Sequence, residues 1–186
     1  EGDWARILCD PADDQVADTF GKAWKALGDD ASTTVLNPAD LRISIDAGLW
    51  DVYIQDWVAD YDDPLAFLDP FTTKNPAGDC AWSSPLYDAL IAGARDVAGF
   101  KAKPDAAAAA VPAVKDALAK GDLEGLRRAL LAEAEAILLE EAIVVPLWIP
   151  VDSGIVAKGV RGLPVGPVAG KRSLLDVVPF PFAVKD

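Results

Sequence analysis

Short apolar runs alternate with longer helical stripes through the first sixty residues. Ala5, Ile7, Leu8 and Cys9, interrupted by Arg6, read as a strand. Asp10 and Pro11 follow as an N-cap and a first helical residue, and Val16, Phe20, Ala23, Trp24 and Leu27 recur at helical spacing until Gly28. Thr33, Thr34, Val35 and Leu36 make a second short β-branched run. Asn37 and Pro38 repeat the cap-plus-proline signal ahead of Leu41, Ile43 and Ile45, and Gly48 closes that helix. Residues 49–57 read as a third strand. A β-α-β-α-β order predicts a parallel sheet with helices packed on its faces, an α/β fold.

Beyond residue 60 the stripes are helical. Asp63 and Pro64 open a helix carrying Leu65, Phe67 and Leu68; Ser84 and Pro85 open another with Leu86, Leu90, Ile91 and Ala94 on one side. Five alanines after Asp105 favour helix, but Pro112 permits one only with a break. Asp122 caps a long amphipathic stretch through Leu126, Leu130, Ala134, Ile137 and Leu138. Residues 142–150 are apolar and β-rich, and their prolines predict an edge strand or a bent crossing segment. The tail after Gly154, rich in Gly, Pro and Val, is too apolar for a disordered linker and is expected to lie against something.

Composition removes several chemistries. A net charge of -13 argues against a nucleic-acid partner and an anionic membrane surface. That charge serves solubility or a preference for cationic ligands; both readings stay open. There is no His, which removes His-based triads, His metal sites and the usual pH switch. Cys9 and Cys80 form either one disulfide or two buried thiols. No run of about 18 apolar residues occurs, so no helical span is predicted. The polar start and the absence of Met predict a processed product or an excised piece, with any membrane anchor outside this chain.

The segment after the third predicted strand concentrates the candidate chemistry. Asp56, Trp57, Val58, Asp60, Tyr61, Asp62 and Asp63 offer an indole, a phenol and four carboxylates. Ligands bind at strand ends in open parallel sheets. A carboxylate there suits an ammonium ligand through charge-assisted hydrogen bonds, and a neighbouring aromatic face adds cation–π attraction. Plainer roles compete: Asp63 as an N-cap, Asp62 as a solvated charge, Trp57 as core. The carboxylates lack the glycine and spacing of an EF-hand, and a glycosidase-type pair needs a separation that sequence does not give.

Residues 48–71 resemble a pattern of the oligopeptide/dipeptide-binding family of ABC-transporter solute-binding proteins. Trp57-Val58-Ala59-Asp60-Tyr61 and Asp63-Pro64-Leu65-Ala66-Phe67-Leu68 carry the likeness. Ser84-Pro85-Leu86-Tyr87-Asp88-Ala89-Leu90-Ile91, and the stretch 132–147 ending in Pro146-Leu147, follow in the family's order. The resemblance covers most of residues 4–160 and implies the second lobe of a periplasmic-binding-protein type II fold. It implies a peptide-binding lobe over residues 1–150 and a return segment toward the first lobe over 151–186.

By the same resemblance, Asp60 takes the peptide's α-amino group and Trp57 packs beside the peptide. Tyr61 completes the cleft wall, and main chain around Asp56 and Val58 pairs with the peptide as an added strand. The implied role is reversible extracytoplasmic capture for an ABC permease, in the periplasm or on a cell-surface lipoprotein, without catalysis or cofactor. Where the family usually has Gly before the Trp, this chain has Asp56. A regulatory or cell-envelope scaffold on the same fold is the alternative, and an acidic hydrolase using Asp56, Asp60 and Asp62 the more distant one.

Overall fold

The structure, a computed structural model, describes residues 4–75 and 81–149. The chain divides into two units, Glu1–Trp57 and Val58–Asp186. The first holds β1 (Trp4–Cys9), α1 (Asp14–Leu27), β2 (Asp30–Val35), α2 (Pro38–Asp46) and β3 (Val52–Tyr53). Its sheet runs in the order β2-β1-β3, with β1 parallel to both neighbours.

Alternation along β1 sends its side chains to two faces. Ile7 and Cys9 pack with Ala17, Val16, Phe20 and Trp24 of α1. Leu8 packs on the opposite face with Leu41 and Ile45 of α2. A central parallel strand covered by helices on both faces must be apolar throughout, which is how residues 7–9 read. The α/β expectation therefore holds. Arg6 fixes the start of β3: its backbone N–H and its Nε donate to Asp51 Oδ2 at 2.8 and 2.9 Å. These bonds hold the Asp51 carboxyl below its ordinary range.

Two expectations in this unit shift. Asp10 does not cap α1; its Oδ1 accepts from Ala12 N at 2.7 Å in a turn, and the helix starts at Asp14 with Asp13 in the N-cap position. The third strand is far shorter than residues 49–57. Only Val52 and Tyr53 are strand, with two further backbone bonds to β1, from Asp51 N to Arg6 O at 3.1 Å and from Ile54 N to Leu8 O at 2.9 Å. Strand β1 ends at Cys9 and turns through Asp10 and Pro11, so residues beyond Ile54 have no ladder left to join.

The second unit is helical: α3 (Leu65–Leu68) with a 3-10 turn at Asp69–Phe71, α4 (Pro85–Arg95), α5 (Val97–Ala102), α6 (Ala106–Ala110), α7 (Pro112–Lys120) and α8 (Leu123–Glu140). Ser84 and Asp122 cap α4 and α8 as their sequence predicts. The alanine stretch breaks where expected: Val111, before Pro112, is extended and separates α6 from α7. Tyr87, Leu90, Ile91, Val114, Leu126 and Leu130 are fully buried in one core. Tyr87 donates its hydroxyl to Leu68 O at 2.6 Å, tying α4 to α3. Trp82 meets the Tyr87 ring edge-on, with centroids 5.1 Å apart.

After α8 the expected β-rich segment is not a strand over its described residues. Ala142 takes a left-handed conformation (φ 53°), and Ile143 N donates to Leu138 O at 2.9 Å to close the helix. Residues 144–149 join no ladder. Cys80 and the tail from residue 150 onward lie outside the described residues, and with them the disulfide and the return segment.

Truncating Leu130 to Ala should cost about 2–5 kcal/mol, the range for a fully buried leucine. Leu139→Ala on the same helix, where the side chain is 45% exposed, should cost under about 1 kcal/mol. Urea unfolding of both variants checks the contrast.

Candidate functional site

The candidate segment leaves the carboxyl end of β3 and crosses from the first unit into the second between Trp57 and Val58. Asp56 and Trp57 belong to the first unit; Val58, Asp60 and Tyr61 to the second. All five are exposed, with Trp57 at 43%, Val58 at 56% and Tyr61 at 50%. Trp57 is thus not core. Val58 and Tyr61 leave apolar surface in water in the second unit, as Trp57 does in the first.

Within the second unit Tyr61 stands among charges. Partial burial raises its hydroxyl pKa first, with Asp69, Asp63 and Asp60 adding and Arg95 opposing. Arg95 is itself paired with Asp69 at 2.8 Å. Asp63 has two structural jobs. Its Oδ1 accepts from Leu65 N at 2.9 Å at the start of α3, close to the capping role expected of it. Both its oxygens also take Arg127 Nη2, at 2.8 and 2.7 Å. Arg127 Nε reaches Ala94 O at 3.2 Å, so one guanidinium joins the segment to α4 and α8.

Sequence reading missed Arg127, although a signal was there. It precedes Leu130 and Leu131 by three and four residues, which places a cation on the buried stripe of α8. It missed Asp13 too, which is 6% exposed. Burial raises the Asp13 pKa, with Asp10 and then Asp56 adding to the shift.

Chemically, the segment presents hydrogen-bond acceptors and aromatic faces to water. Asp63 is engaged by Arg127, while Asp56, Asp60 and Asp62 are exposed, without the burial by which a general acid is tuned. Among the described residues no group of three His, Cys, Asp or Glu side chains is placed to hold a metal ion.

No protein-family model matches the chain, and no curated protein matches it in sequence. Solved structures do. The Escherichia coli murein tripeptide binding protein MppA aligns over 75% of this chain and 23% of its own, at 21% identity and TM-score 0.53. Haemophilus influenzae OppA, in complex with RPPGFSPFR, aligns over 73% and 23%, at 23% identity and TM-score 0.51. A periplasmic oligopeptide-binding protein from Borrelia burgdorferi aligns over 76% and 24%, at 21% identity and TM-score 0.55. The fold is that of a periplasmic-binding-protein type II lobe. The chain spans about a quarter of the length of these three peptide-binding proteins. The resemblance read from residues 48–71 thus holds at the level of fold. The neighbours are named as peptide-binding proteins.

A double-mutant cycle on Asp63→Ala and Arg127→Ala should return a coupling of about 1–2 kcal/mol, as for a part-buried charge-assisted pair. Arg127→Lys should recover only part of it, because an ammonium lacks the guanidinium fork. Chemical denaturation of the four proteins checks both statements.

Proposed function

We propose that this chain is part of an extracytoplasmic protein that captures peptides for an ABC-type importer. Two observations support the reading. The fold matches several peptide-binding proteins over about three quarters of the chain. The segment that resembles their binding pattern is exposed, and it follows a strand end of a parallel sheet. The exposure carries the assignment, since Trp57, Val58 and Tyr61 are exposed apolar and aromatic residues in the same run of sequence as the exposed carboxylate of Asp60.

In this reading Asp60 accepts the peptide α-ammonium, Trp57 and Tyr61 flank the chain, and main chain near Asp56 and Val58 extends it as a strand. Residues 1–150 act as the peptide-binding lobe and 151–186 as the return segment toward a first lobe. Arg127 positions the segment through Asp63. Closure of two lobes supplies the burial that one lobe lacks, so affinity belongs to the two-lobed protein. The permease is the partner of that whole protein. No helix among the described residues is long and apolar enough to cross a membrane, and attachment rests on an anchor elsewhere.

Calorimetry on the protein that carries this chain tests the reading, with short peptides and their N-acetylated counterparts. Free peptides should bind. N-acetylation or Asp60→Asn should weaken them at least tenfold, the equivalent of one charge-assisted hydrogen bond of about 1.5–3 kcal/mol. Equal binding of both sets would remove Asp60 from the α-amino role. Binding of neither would favour a scaffold or regulatory role on the same fold.

A further inference from the structure

The sheet of the first unit ends on β2, because the order β2-β1-β3 leaves that strand with one neighbour. Leu36 N, just past β2, donates to Cys9 O at 2.9 Å, so Leu36 faces β1. Along a strand, the backbone groups of successive residues point to opposite sides. Thr34 and Ser32 therefore face β1 as well, and Ala31, Thr33 and Val35 turn their N–H and C=O groups outward. Among the described residues no strand pairs with that side. At the other end of the sheet β3 is only Val52 and Tyr53, so β2 is the long open edge.

Natural proteins protect an edge strand with proline, lysine, a bulge or a covering element. Asp30–Val35 holds neither proline nor lysine. Its pairing with β1 runs without a break from Trp4 and Asp30 to Cys9 and Val35, which excludes a bulge. Thr33, Thr34 and Val35 are exposed. Such an edge is complementary to itself. Laid antiparallel on a second copy about Thr33, Ala31 meets Val35 and Thr33 meets Thr33, so each outward N–H faces an outward C=O. Thr33 on Thr33 is a favourable cross-strand pair. The same register sets Asp30 against Leu36 and Asp29 against Asn37, and opposes no like charges along the seam. An in-register parallel pairing would stack Asp30 on Asp30 and would not close on a two-fold axis.

We propose that the outer edge of β2 is an interaction surface for a second copy of this chain, paired antiparallel about Thr33 so that the two sheets continue into one. Each chain carries a net charge of -13, which opposes approach. At about 0.15 M salt the Debye length is about 8 Å, so distant charges are screened and the seam itself decides. The edge is short, which makes the contact weak and reversible. The pairing is independent of peptide capture: it uses neither Asp60 nor any other residue of the second unit.

Sedimentation velocity and amide hydrogen exchange on the protein that carries this chain test the pairing, at about 0.15 M salt and between about 10 μM and 1 mM protein. Sedimentation should pass from monomer to dimer across that range. The amides of Ala31, Thr33 and Val35 should exchange at least tenfold more slowly at the highest concentration than at the lowest. Those of Ser32 and Thr34, already bound to β1, should stay within twofold. Thr33→Lys sets two ammonium groups opposite each other and Thr33→Glu two carboxylates, so each should raise the dimer Kd at least tenfold. An equimolar mixture of the two variants should restore wild-type association. A monomer throughout overturns the proposal and leaves the edge to a strand of a different chain. So does a dimer in which the Ser32 and Thr34 amides respond like the other three, or one that Thr33→Lys leaves as tight as the wild type. Failure of the mixture to associate, with both variants folded by circular dichroism, overturns it too; if either variant unfolds, the alternation of exchange in the wild type decides.

Discussion

Parallel pairing constrains the first unit before anything else. Parallel strands cannot be joined by a tight hairpin; each needs a crossover, here α1 and then α2. Every strand consequently ends on the same edge. The turn after Cys9, the cap at Asn37 and the segment after Ile54 all gather there. Strand β1, paired on both sides, carries the arrangement, and helices bury it on both faces. The edge beyond which Asp56 and Trp57 follow is a by-product of that topology.

A second constraint acts on the far side of Trp57. The segment carrying Asp60 and Tyr61 has almost no regular structure of its own, and so its position depends on anchors. Arg127 and Asp63 supply one, and the hydroxyl of Tyr87 on Leu68 supplies another just beyond α3. Both anchors start from α4 and α8, the two best-buried helices of the core. Rigid helices holding an irregular, exposed strip is a common solution where recognition has to be both accessible and well placed.

Charge divides the carboxylates by function. Asp51, Asp63 and Asp69 are each paired with an arginine and hold the structure together. Asp105 and Asp122 accept from backbone N–H groups at helix starts, as the neutral Asn37 does for α2. Elsewhere Asp60 in the second unit stands in water, and Asp13 in the first lies beneath the surface. The excess negative charge of the chain is therefore not spread evenly between structural and solvating roles; part of it has no protein partner among the described residues.

Local patterns determined much of this. Periodicity gave the long helices but not α5, and cap residues fixed the starts of α2, α4 and α8, because one side chain meeting nearby N–H groups is a local event. The apolar run at residues 7–9 was sufficient for a doubly covered strand. The motif at residues 57–68 placed the candidate segment. The tertiary structure decided what depends on distant partners. It set the length of β3, since a strand extends only while its neighbour does. It moved the start of α1, where the Asp10 turn competes with the helix for backbone N–H groups. It paired Asp63 with an arginine 64 residues away. It also buried Asp13 while leaving Asp60 exposed, a difference between identical side chains that lies wholly in what packs around them.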